Sequence, residues 1–120
     1  MNHEIYHAEI GFPQIVNSLY GQRFILSFSS HAKVACRNDR YGFIIPPTAV
    51  TVTEKNLIEV EVENDIITKV LVRIPYERDS KKDISIAFIP QKNFGFVKTL
   101  WLNLTSDIHT TLDKSKYNTP

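Results

Sequence analysis

The sequence predicts an α+β domain, with one or two N-terminal helices packed on a four-stranded antiparallel sheet. Three observations predict it. "LIEVEVE" alternates strictly, placing Ile58, Val60 and Val62 on one face and glutamates on the other. β-rich runs then succeed one another to the end of "FGFVKTLWLN", separated by short turn-forming stretches. A capped, helix-like run with a narrow apolar stripe precedes them all, and helix segregated from sheet is the mark of α+β.

In chain order, "EIYHAEI" alternates as a strand does, while "FPQIVNSLYGQ" fits either a short helix or a loop. "RFILSFS" reads as a buried strand, apolar at four of six positions and bounded by Gly21 and the serines. Ser29 or Ser30 then caps a helix, its hydroxyl accepting an orphan amide proton of the first turn. Ala32, Ala35 and Cys36 fall at i, i+3, i+4 and form its buried stripe. Lys33, Arg37 and Arg40 form a basic stripe on another face, and Gly42 is the expected C-cap before "IIPP". Strands are expected near 57–63, 66–74, 84–89 and 94–102, with Asn64-Asp65 turning between the first two. The expected core joins Ile58, Val60, Val62, Phe88 and either Phe96 or Val97 to the helix stripe, and Trp101 is read separately as a core residue. The chain is taken as one domain, 1–120, with a polar tail from about 104 that is either a surface extension or a segment folded back over the sheet.

Fourteen Lys and Arg against thirteen Asp and Glu give a net charge of +1, which is no footprint of a strong non-specific nucleic-acid binder. The charge is uneven. Glu59, Glu61, Glu63 and Asp65 cluster without a cation, whereas residues 69–98 carry seven cations against three acids. No apolar run reaches the roughly 20 residues that span a bilayer, and the N-terminus lacks the basic and apolar regions of a secretory leader. Cys36 is the one cysteine, so no internal disulfide forms and a reducing, cytoplasmic setting is expected.

Several chemistries lack their residues. His3 and His7 have a spacing that brings two imidazoles together on a helix, but their segment reads as a strand, so no metal or other cofactor is expected. There is no Gly-x-Ser-x-Gly elbow, and four scattered glycines make no phosphate loop. What remains is an acid–base set. His31 supplies an imidazole, the side chain most often used for proton transfer, and Arg73 and Lys98 supply cations for a phosphorane oxyanion. Lys33, Arg37, Arg40 and Lys69 are candidates for holding RNA phosphates. Register decides Arg73 and Lys69. A two-residue turn at Asn64-Asp65 puts both on the helix-facing side, and a longer turn pairs Lys69 with Glu61 on the surface. Lys98 and Thr99 are expected on opposite faces, so at most one reaches a shared site.

"FSSHAKVACRNDRYGFIIPP", a strand running into Ser-x-His-Ala on a basic helix, resembles the small RelE-like ribonucleases of the barnase–EndoU–colicin–RelE fold. The Ser-x-His-Ala helix is similar to that of BrnT-like proteins, and "VKTLWLN" resembles the last strand of the fold. The resemblance implies metal-free cleavage of RNA, with His31, Arg73 and Lys98 catalytic. It departs at Ala35, where related helices place an arginine. The tail has the look of small phage proteins. Two function classes follow: a small endoribonuclease acting on RNA, or a non-catalytic interaction protein of the same fold that binds and inhibits a host enzyme.

Overall fold

The computed structural model describes residues 3–106 and contains seven strands where the expected sheet has four. In chain order they are β1 His3–His7, β2 Arg23–Phe28, β3 Ala49–Thr51, β4 Leu57–Glu63, β5 Ile66–Pro75, β6 Lys82–Pro90 and β7 Phe94–Leu104. A 3-10 turn, Gln14–Leu19, follows β1, and helix α1, Ser30–Arg37, follows β2. The strands form one curled sheet, a half-barrel of order β1-β4-β5-β6-β7-β2-β3. All neighbours are antiparallel except β2 and β7, which run parallel.

This overturns the α+β expectation of N-terminal helices on a four-stranded sheet. The meander β4–β7 exists, but it is the middle of a larger sheet. The ends of a four-stranded sheet are open hydrogen-bond ladders, and the early strands occupy them. "HEIYH" pairs along β4, and "RFILSF" pairs along the first part of β7 and carries β3 on its other side. The only α-helix, among the described residues, is eight residues long and lies against β7 and β2 rather than across the meander.

Helix α1 starts where expected. Ser29 is extended (φ −66°, ψ 164°) and its Oγ accepts from the Ala32 amide at 3.0 Å. It ends sooner than the basic stripe required. Asn38 is the C-cap, and Asp39 Oδ2 accepts from the Tyr41 amide at 3.1 Å, turning the chain before Gly42. Arg40 is therefore off the helix, and no stripe joins it to Lys33 and Arg37.

Bulges redistribute side chains between the two sheet faces. Leu57 pairs with Val72 but Glu59 with Leu71, so Ile58 is an extra residue. Leu57, Val60 and Val62 join the main core, while Ile58 packs on the opposite face beside Leu71, Ala87 and Trp101. The expectation that Ile58 shares a face with Val60 and Val62 is thus corrected. Asn64 and Asp65 form a two-residue turn with positive φ at both (51° and 64°), the geometry that follows the twist of a hairpin. Thr68 then bulges, so Glu61 faces Lys69 even though the turn is short. A third bulge leaves Lys98 without a partner between Val97, opposite Phe88, and Thr99, opposite Ala87. Val97 and Leu100 consequently both enter the core, and Lys98 and Thr99 do not take opposite faces in simple alternation.

The larger cluster fills the inner face of the half-barrel. Phe24, Val60, Val70, Val72, Ile84, Ile86, Phe88 and Val97 are its sheet members, closed by Val16 and Leu19 of the 3-10 turn, by Ala32 and Cys36 of α1, and by Ile44. Burial on this scale, at about 25 cal/mol per Å² of apolar surface, is the main stabilising contribution. On the outer face, Trp101 is 1% exposed and packs with Leu71 and Ala87. The expected tail from about 104 lies almost wholly outside the described residues, although β7 runs through Leu104.

Candidate functional site

The residues expected to form a catalytic cleft are placed apart. His31 is exposed on the first turn of α1, whose buried side joins the inner core, and its side chain makes no hydrogen bond or ion pair with another described residue. Arg73 lies on β5 between Val72 and Ile74, both of which face the inner core, so its side chain is on the outer face. There its Nε meets Asp83 Oδ2 at 2.9 Å and its Nη2 donates to the Leu104 carbonyl at 2.9 Å. The guanidinium is committed to holding β5, β6 and the end of β7 together. His31 and Arg73 therefore stand on opposite sides of the sheet. Lys98 is exposed at its bulge, with Nζ 5.6 Å from the centre of the Phe96 ring. Its main-chain carbonyl accepts from Ser29 Oγ, at the start of α1, at 3.2 Å.

The expected phosphate-holding set is also scattered. Lys33 and Arg37 are exposed on α1, and Arg40 stacks on Tyr41 with its guanidinium carbon 4.7 Å from the ring centre. Lys69 pairs with Glu61 at 3.1 Å, the ordinary surface contact that the bulged register allows. His3 and His7 do share the outer face of β1, since i, i+4 on a strand also alternates to one side. They are about 13 Å apart along the strand at 3.3 Å per residue. Each meets its own acid instead: His3 Nε2 lies 3.1 Å from Glu61, and His7 Nδ1 lies 3.0 Å from Glu59, a carboxylate in a residue only 2% exposed. Among the described residues no group of three or more His, Cys, Asp or Glu side chains is placed to hold a metal ion. Cys36 is buried and its thiol is pushed up, first by desolvation, which disfavours the nucleophilic thiolate.

A groove of about 550 Å³ forms a different candidate site. One wall is residues 45–51, the other residues 74–78, with Arg23 and Ile84 completing the lining. The sequence builds it from two devices. Pro46 and Pro47 hold the chain extended on its way into β3, and the amide of Ile45 donates to the Tyr76 hydroxyl at 3.1 Å, joining the walls at one end.

β3 is an edge strand, and its register shows which main-chain groups face outward. Leu26 N–H donates to the Thr48 carbonyl and Val52 N–H to the Gln22 carbonyl, so positions 48, 50 and 52 bond to β2. Ala49 and Thr51 direct their main-chain groups to the open side. Asn56 Nδ2 donates to the Thr51 carbonyl at 2.8 Å and occupies that one. The Ala49 N–H, the Ala49 carbonyl and the Thr51 N–H have no partner among the described residues. Arg23 and Arg78 are exposed in the groove lining and form no ion pair with a described acid; Glu77 is the one acid there.

This site was not read from the sequence. "IIPPTAVT" carries its signal, prolines before a short β-branched run, but the partner wall comes from the far end of β5. Compared with protein-family models, with curated proteins and with solved structures, the chain matches none. No helix among the described residues is long and apolar enough to cross a membrane.

Proposed function

We propose that this protein is a non-catalytic interaction module that binds a protein partner along the groove beside β3. The observation that carries the reading is the open edge of that strand. Main-chain donors and an acceptor left without partners in a concave site are groups that the main chain of an extended partner can pair with. The acid–base reading draws less support, because Arg73 is bonded to Asp83 and the Leu104 carbonyl on the far face from His31. Exposed His31 at the start of α1 is the feature that keeps endoribonuclease activity as the alternative to be tested.

Purified protein incubated with total RNA and chelator is expected to leave the RNA intact. A photo-crosslinking amino acid at Ile45, which is 48% exposed in the groove lining, is expected to give a discrete adduct in expressing cells. The same group at Ile66, exposed at the Asn64-Asp65 hairpin, is expected to give none. RNA cleavage that disappears in His31→Ala overturns the reading in favour of the ribonuclease. Equal adducts at both positions, or none at either, also overturn it.

A further inference from the structure

Resting on the interaction reading, we infer that the groove takes an extended acidic peptide segment as an added strand beside β3. Strand addition needs an edge whose main-chain groups are open, a bounded length and pockets that choose the side chains. The edge is open at Ala49 and Thr51, two residues apart, so a partner strand meets hydrogen-bonding groups at the roughly 6.6 Å repeat of alternate β positions. Its length is bounded. Pro46 and Pro47 contribute no N–H at one end, and Asn56 occupies the Thr51 carbonyl at the other. A short strand fits this interval, whereas an α-helix has already spent its own main-chain groups and cannot satisfy these.

Charge selects the occupant. Arg23 and Arg78 stand in the lining against the single acid Glu77, so the site carries a net positive charge. A guanidinium binds a carboxylate through two parallel N–H bonds, which makes Asp or Glu the complementary side chain. Ile45 and Ile74 offer apolar surface for the intervening positions. The occupant is thus an alternating segment, apolar and acidic by turns. An unpaired, apolar-flanked edge is otherwise a hazard of self-association, and the arginines at this one favour an acidic partner over a second, equally charged copy.

The test uses a synthetic peptide, fluoresceinyl-aminohexanoyl-TVEVEVT-amide, titrated into the 120-residue protein. Saturable binding is expected, at least tenfold weaker for the lysine counterpart TVKVKVT and at least tenfold weaker for the double variant Arg23→Glu/Arg78→Glu. Methylating alternate peptide nitrogens along one edge is expected to abolish binding without any change to the protein. In amide-exchange NMR, the Ala49 and Thr51 amides are expected to exchange freely alone and to become protected with peptide. Binding that leaves both amides unprotected, or that tolerates methylation on either edge, overturns strand addition while leaving a groove-binding module intact. No saturable binding by either peptide overturns the acidic-strand inference, and the crosslink at Ile45 then decides separately whether the interaction reading survives. Stronger binding of TVKVKVT overturns the charge assignment.

Discussion

Trp101 Nε1 donates to Asn103 Oδ1 at 3.0 Å, and the two residues lie two apart on one face of β7. Asn103 Nδ2 in turn donates to Ser85 Oγ on β6, so an indole, an amide and a hydroxyl form one buried chain. Asn103→Ala removes the acceptor from one neighbour and the donor from the other. A loss of about 1–3 kcal/mol in stability is expected, the cost of unsatisfied buried polar groups. Urea denaturation followed by the emission of Trp101, the one tryptophan, measures it at the site itself.

Gly95 is required by its neighbour rather than by its own dihedral angles. A Cβ added there meets Phe88 Cδ2 at 2.6 Å, and the Phe88 ring is held against Phe24 with centroids 5.1 Å apart. Gly95→Ala is expected to destabilise by about 1–3 kcal/mol through overpacking. Adding Phe88→Leu in the Gly95→Ala background should cost less than Phe88→Leu alone. A thermal-denaturation double-mutant cycle reads this coupling, and simple additivity would show that the contact is not the cause.

Arg73→Ala is expected to lower stability by about 1–3 kcal/mol, since it strands a mostly buried Asp83 carboxylate. Arg73→Lys should recover only part of that loss. A single ammonium does not reproduce the planar fork that serves Asp83 and the Leu104 carbonyl together. Full recovery by lysine would show that charge alone matters there. Chemical denaturation of the three proteins side by side decides it.

The Asp79 carboxyl is held below its ordinary value, first by the hydrogen bond from Lys82 and then by the main-chain N–H of Lys81. A carboxyl whose folded value is depressed contributes stability above its unfolded value, and the contribution is lost as pH falls through the folded value. Asp79→Asn is therefore expected to be less stable than the parent at pH 7 and pH 5. The gap should narrow by about pH 3, below the ordinary carboxylate value near 3.9. Denaturation midpoints at the three values test this, and a gap unchanged at the lowest pH would assign the effect elsewhere.

Local structure was legible where it depends on neighbouring residues alone. Alternation in "LIEVEVE" and the apolar runs after it place β4 to β7, and Ser29 before Ala32 places the start of α1, because period and capping are properties of neighbouring residues. Which faces and which partners those elements took depended on the folded sheet as a whole. Single-residue bulges at Ile58, Thr68 and Lys98 each shift the side chains beyond them relative to the partner strand, and nothing in a strand's composition marks an extra residue in its pairing. The parallel contact between β2 and β7, and the groove between β3 and the end of β5, join segments far apart in the chain. Such contacts form because open sheet edges and apolar faces must be covered by whatever strand reaches them, and that is a property of the whole chain's closure.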